Sequence, residues 1–339
     1  MDNTKKHRIL VTGGAGFIGS HLTDALLKSN YQVRVLDNLI NGSLDNLSDA
    51  SVYPEFEFIK GDILDEDACN NAMKDIDYVF HLACLGVRHS IHSPFENHRV
   101  NAEGTLNVLK AAREHGVKHF FYISTSEIYG RTTSFPISEE ASTLPLTVYG
   151  ASKLAGEHYT NAFNECYGLQ TTVLRIFNNY GPRAHYEGDA GEIIPRSIVR
   201  ILYDEQPMIF GDGSITRDFF FVKDTAQVLL QLLEISRSSD QKQLNRETFN
   251  IGTGVELTMR SLLERILELM GRMNLGIQYL DDRPADVPRL WVKANKFYTL
   301  TNFQSSYSFD EGLKQTILFY ETKMKEKNLI SDIKTNNWQ

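Results

Sequence analysis

The chain has 339 residues, enough for one large domain or two that share a cleft. Its 42% hydrophobic and 23% charged residues are those of an ordinary globular protein, and a formal charge of −8 speaks against a nucleic-acid-binding surface. No apolar run approaches the ~18 residues of a membrane span, the stretch "MDNTKKHRILVTGG" has no apolar secretory core, and Cys69, Cys84 and Cys166 lack disulfide-framework or zinc spacing, so a cytoplasmic protein without a bound metal is expected.

"RILVTGGAGFIGSHLTDALLKSN" predicts a strand, a glycine turn and an amphipathic helix. Gly13, Gly16 and Gly19 give G-x-x-G-x-x-G, with Phe17 and Ile18 opening the helix. Small residues here permit a tight turn and let a pyrophosphate approach free N–H groups at the helix start. The second strand, "QVRVLDN", ends at Asp37-Asn38, 18 residues beyond Gly19. A carboxylate there accepts from ribose hydroxyls and repels a 2′-phosphate, which favours NAD over NADP. "FEFIKGDILD" puts Asp62 and Ile63 where an adenine would lie, and "DYVFHLA" ends on Leu82-Ala83, small enough for a cofactor to pass. The helix "NAEGTLNVLKAAREHG" closes on Gly116. This alternation predicts an α/β fold with a Rossmann-type, doubly wound parallel sheet whose ligands bind beyond the C-terminal strand ends.

The next strand, "FFYISTSEIYG", stops on Ser124-Thr125-Ser126-Glu127 and so delivers three hydroxyls and a carboxylate to that cleft. In "TVYGASKLAGEHYTNAF", Tyr149 and Lys153 stand four residues apart on one helix face. An ammonium beside a phenol favours the phenolate, which can take a proton from a sugar hydroxyl while hydride leaves its carbon.

With these motifs in order, the chain resembles the extended short-chain dehydrogenase/reductases of the nucleotide-sugar epimerase/dehydratase group. "TGGAGFIGSHL", Asp37, "GDILD", "HLA", "STSEIYG", "YGASK", "LRIFNNYGPR", "GDGSITRDFFFVKDTA" and "RPADVPR" follow that group's successive motifs over roughly residues 8–290. The resemblance implies a retained NAD, with Thr125 binding the reacting hydroxyl, Tyr149 as acid/base, Lys153 on the nicotinamide ribose and Ser124 lining the cofactor. It also implies a nucleotide-sugar substrate, most often a UDP-sugar, and a homodimer built on the Tyr149–Lys153 helix. Asn178 is then a sugar or diphosphate contact, and Arg217 and Arg283 clamp the diphosphate. The group usually has glycine where this chain has Ala285. "GVRHSIHSP" resembles the epimerases' loop and sets Arg88 beside the substrate, with His89 and His92 read as solvated. In "PRAHYEGDAGEIIPR", a loop followed by a helix starting near Glu192, Arg183, His185 and Arg196 are further contact candidates.

Ser126 and Glu127 bear on the reaction. The group's 4,6-dehydratases carry Thr-Asp-Glu here, the Asp protonating a departing C6 hydroxyl and the Glu removing the C5 proton; serine is a poor acid. Thr-Ser-Glu resembles UDP-glucuronate decarboxylases, whereas the Arg88 loop resembles epimerases. The leading expectation is an NAD-dependent 4-epimerase of UDP-hexoses or UDP-hexuronates. A decarboxylase or dehydratase using Glu127 is the alternative, and a silent NAD-binding regulator is the remote one. Residues 1–177 are expected to form the NAD domain, with segments near 215–250 returning to it, and 178–323 mainly the substrate lobe, before a polar tail at 324–339.

Overall fold

The computed structural model describes residues 6–283 and 286–335. The chain opens with β1 (Arg8–Thr12), α1 (Phe17–Lys28), β2 (Gln32–Asp37), β3 (Phe56–Lys60), α2 (Glu66–Met73) and β4 (Tyr78–His81). Two short helices, α3 (His89–His92) and α4 (Pro94–His98), lead through a π-helical turn into α5 (Gly104–Glu114). Then come β5 (His119–Thr125), α6 (Val148–Tyr167), β6 (Thr171–Ile176), β7 (Asn178–Tyr180), α7 (Ile193–Leu202), β8 (Met208–Phe210), β9 (Thr216–Arg217) and β10 (Phe219–Phe221). The rest is α8 (Val222–Ser236), β11 (Glu247–Ile251), β12 (Leu257–Thr258), α9 (Met259–Leu269), β13 (Gln278–Leu280), β14 (Arg289–Leu290), α10 (Asn295–Thr301) and α11 (Phe309–Met324).

Seven of these strands form one parallel sheet in the order β11-β6-β5-β4-β1-β2-β3. Its strands read as apolar runs because helices cover both faces. Ile9, Val11, Val33 and Val35 pack with Leu22 and Leu26 of α1 and Val228 and Leu232 of α8. The alternate residues Leu10, Leu36, Val79 and Phe120 face Ala72 of α2 and Val108 and Leu109 of α5. The chain leaves β1 toward β2 on one side and later toward β4 on the other, which opens a crevice at their C-terminal ends. A second core joins α7, α9 and α11 through Ile198, Leu263 and Ile317, and the short strand pairs β7–β10 and β8–β13 add Tyr180, Phe221 and Ile209 to it; β12-β9-β14 form a further short sheet.

The stretch after α11 differs from the expected tail. Leu329 is fully buried in the lobe core, its N–H donates to Tyr203 Oη at 3.0 Å, and Ile330–Asp332 form a 3₁₀ turn. Leu329, with Ile330 and Ile333 packed beside it, docks this polar sequence, and composition averages these few apolar residues away. Among the described residues no helix is long and apolar enough to cross a membrane.

Candidate active site

A cleft of about 460 Å³ lies between the C-terminal ends of the parallel strands and the lobe. Its floor begins with the glycine turn. Gly13 has φ +71°, and a Cβ there would sit 2.7 Å from the Ala83 nitrogen; at Gly19 it would meet the Gly13 oxygen at 2.2 Å. Only glycine lets the turn press onto the end of β4 and onto α1 at once. α1 then starts at Gly16 with no side-chain cap, so the N–H groups of its first turn, at Phe17, Ile18 and Gly19, are left for a ligand. The residues fit a dinucleotide.

Asp37 ends β2 at 8% exposure, and its two carboxylate oxygens accept from the N–H groups of Ala15 (3.0 Å) and Leu39 (2.8 Å). Burial pushes its acid up, and these two N–H groups pull it back. Each oxygen keeps a lone pair for a ribose hydroxyl. Asn38 lines the cleft and donates to Asp62 Oδ2 at 2.9 Å; Ile63, Leu82 and Ala83 line it too, and Asp62 does not. An Asp37→Ala variant loses both amide partners as well as the ribose acceptor. It is expected to bind NAD about tenfold more weakly in a fluorescence titration and to discriminate less against NADP.

The hydroxyl-rich end of β5 forms the next wall. Thr125 Oγ accepts from the Glu127 N–H at 3.2 Å, and the same side chain lies close enough to the Tyr149 phenol to pull its pKa down. Tyr149 and Lys153 lie on the first turns of α6, whose N-terminus is capped by Thr147. α6 runs tightly over β5 because Gly156 leaves room for the Tyr122 hydroxyl, which donates to the Lys153 carbonyl at 3.1 Å. Lys153 is 2% exposed, with its ammonium 4.4 Å from the Tyr122 ring centroid. Burial lowers its pKa, toward the neutral amine, opposed by Cys84 and Glu157. Burial likewise holds the Tyr149 phenol well above its usual value, joined by Cys84, while the Thr125 hydrogen bond pulls it down.

Ser126 is buried and lines the cleft beside Glu127. Burial raises the Glu127 carboxyl, Arg217 and Arg283 lower it, and Asp286 and Glu192 raise it again. Ser124 faces the cleft too, but its hydroxyl donates to Glu157, which takes two hydrogen bonds from Arg175 Nε (3.0 Å) and Nη2 (2.8 Å). Arg175 also donates to Tyr129 Oη, and Tyr129 in turn to Asn250. Sequence reasoning missed this buried network under the catalytic strand end.

On the substrate side, Arg217 and Arg283 meet over one carboxylate, donating to Asp286 Oδ1 at 2.7 Å and Oδ2 at 2.6 Å. The Ala285 position lies outside the described residues. Asn178 lines the cleft with its Oδ1 buried and unpartnered, an acceptor waiting for a donor. Arg88 lines it as well, yet its guanidinium is engaged: Nε donates to the Asp189 carbonyl at 3.0 Å and Nη2 to that of Gly191, with Glu192 at 3.1 Å. His92 pairs with Asp189 at 2.8 Å, so the β4 loop and the lobe loop are joined across the cleft. Glu192 caps α7 and His185 lines the cleft with Glu187 at 3.0 Å. Arg183 turns away to Asp24 and Asp49 against α1. Among the described residues no cluster suits a metal ion.

Residues 10–316 match the family described as GDP-mannose 4,6 dehydratase. A UDP-glucose 4-epimerase of Mycolicibacterium smegmatis is 33% identical over 93% of this chain and 99% of its own. The structure is similar to a UDP-N-acetylglucosamine 4-epimerase of Methanobrevibacter ruminantium M1 (TM-score 0.87, 32% identity, 95% of this chain and 100% of the other). It is also similar to the dTDP-glucose 4,6-dehydratase DesIV of Streptomyces venezuelae, crystallised with NAD (TM-score 0.88, 29% identity, 95% and 99% covered). A match that runs through both layers, from the glycine turn to α11, makes the chain a member of the NAD-dependent nucleotide-sugar epimerase/dehydratase family of extended short-chain dehydrogenases/reductases.

Proposed function

We propose that this enzyme is a UDP-sugar 4-epimerase that works through a transient 4-keto sugar with its NAD retained. The observation that carries this reading is Thr125, Tyr149 and Lys153 brought together on the cleft wall, with serine at 126 where an eliminating enzyme needs an acid. When bound, NAD supplies the hydride acceptor and donor at C4. Tyr149 takes the C4 hydroxyl proton and returns it, and Thr125 fixes that hydroxyl's direction. Lys153, buried and with no ion pair among the described residues, is suited to hold ribose hydroxyls. Arg217 and Arg283 share one carboxylate between two cations and so keep a net positive charge for the diphosphate. The hydroxyl of Ser126 cannot protonate a leaving C6 hydroxyl at neutral pH. On this reading the substrate is a soluble UDP-hexose or UDP-hexuronate in the cytoplasm, and the enzyme is a homodimer using the α6 face that leaves Tyr167 exposed.

One observation favours a second reading. Glu127 faces the cleft with its carboxyl raised by burial, as a proton-transfer group at C5 would need for decarboxylation or dehydration. Mass spectrometry and proton NMR of the enzyme with UDP-glucose, UDP-N-acetylglucosamine and UDP-glucuronate in deuterated water separate the two. An epimerase gives a product of unchanged mass with an inverted C4 coupling pattern and no deuterium at C5. Loss of water or carbon dioxide, or C5 exchange that disappears in Glu127→Gln, would establish the second reading.

A further inference from the structure

The polar stretch after α11 reaches the substrate side of the cleft. Leu329 anchors it in the lobe core. From there the Asp332 carbonyl accepts from the Gly188 N–H at 3.1 Å, and the Asp332 carboxylate from Tyr186 Oη at 3.0 Å. The carbonyls of Lys334 and Thr335 accept from Arg196 Nη2 at 2.5 and 3.2 Å. Tyr186 to Gly188 and Arg196 flank the 189–192 turn, which holds Arg88 through two carbonyls and Glu192. Arg196 lines the cleft itself, is 7% exposed, and keeps a buried Nε without a partner among the described residues. Its burial, with Arg88, Arg283 and Arg200 nearby, lowers it to about 10. A buried cation crowded by other cations stays in place only where fixed acceptors hold it, and here backbone carbonyls of the tail do so.

We propose that residues 327–335 are a positioning element of the sugar-nucleotide cleft, acting through Arg196 and the 186–192 turn. The proposal rests on the nucleotide-sugar reading for its substrate, though not for its geometry. A strap that merely stabilises the lobe would alter the melting temperature and leave the cleft unchanged. A positioning element alters substrate affinity more than turnover.

The test compares the full chain with a chain ended after Glu326 and with Arg196→Met and Arg196→Lys. The readouts are NAD content, UDP affinity by calorimetry, kcat and KM on the UDP-sugar the wild type converts, and amide hydrogen exchange without ligand. The shortened chain is expected to keep its NAD and kcat while KM rises about tenfold, the equivalent of ~1.4 kcal/mol. Arg196→Met should show the same rise, and Arg196→Lys, which retains a donor for the tail carbonyls, should recover much of it. Amides of 186–196 should exchange faster in the shortened chain, with those of the glycine turn unchanged. An unaltered KM, or NAD content, kcat and KM worsening together, would overturn the proposal. Should the shortened chain not fold, wild-type KM in both Arg196 variants would overturn it equally. A wild type that binds no UDP would count against the function reading alone, and unchanged exchange at 186–196 would then overturn the tail proposal by itself.

Discussion

Replacing Tyr149 by Phe is expected to lower turnover by about 10²–10⁴-fold, the usual worth of a positioned acid/base, with fold and NAD content intact. Thr125 is the polar neighbour that acts on the phenol, and Thr125 Oγ still accepts from the Glu127 N–H once the phenol hydroxyl is gone. The structural loss is therefore at most one hydrogen bond, about 1 kcal/mol. Activity should fall far more than stability, which separates a catalytic role from a packing one. A variant keeping more than about a tenth of wild-type turnover would contradict the role given to Tyr149.

The same geometry fixes the sign of the pH dependence. Burial holds the Tyr149 phenol above its usual value, so the base form grows as pH rises and the acidic limb of the rate profile should climb through the neutral and alkaline range. Thr125 pulls that phenol down; its hydroxyl donates to the ionised form. Thr125→Val removes this pull and should move the acidic limb to higher pH, besides lowering kcat. A limb that shifted to lower pH would mean that Thr125 instead stabilises the neutral phenol.

What could be read in the sequence was whatever repeats at short range. Gly13, Gly16 and Gly19 fall at fixed offsets between a strand and a helix, and Tyr149 and Lys153 are helix neighbours by spacing alone. The hydroxyls at 124–126 were legible because a β-favouring run ended on them. What stayed hidden depends on partners far along the chain. Arg88 reads as a substrate contact in its loop, yet its guanidinium is held by residues 101 to 104 positions later, which only the folded cleft brings near. Arg217 and Arg283 were legible as a pair of cations, but the Asp286 between them reads as a motif letter until geometry shows it bridging both. The docking of residues 327–335 rests on Leu329, with Ile330 and Ile333 beside it, spaced too sparsely in a polar stretch to read as an element. The Glu157–Arg175 pair sits within an amphipathic helix and an apolar strand, where a charge ordinarily signals the solvent face.

That pair carries the second large effect. Glu157→Leu is expected to destabilise the protein by about 3–5 kcal/mol, the cost of leaving a buried charge without its partner. Burial works against the Arg175 charge, and the two hydrogen bonds and the field of Glu157 more than offset it, holding the guanidinium above its ordinary value. With side chains only 9% and 4% exposed, water does not replace the lost carboxylate. A loss of that size is a large part of the ~5–15 kcal/mol that keeps a domain folded, so the unfolding midpoint in urea should fall markedly. Removing both charges together, Glu157→Leu with Arg175→Met, leaves no uncompensated ion and should restore most of the midpoint. Turnover should not return with it. Ser124 still lacks its acceptor, Tyr129 loses its donor from Arg175, and the Ser124–Glu157 tie between the end of β5 and α6 is gone. Recovery of stability without recovery of kcat would show that the network holds the two catalytic walls in register. If kcat returned in the double variant, the network would be structural only, and packing of Gly156 on Tyr122 would be sufficient to align them.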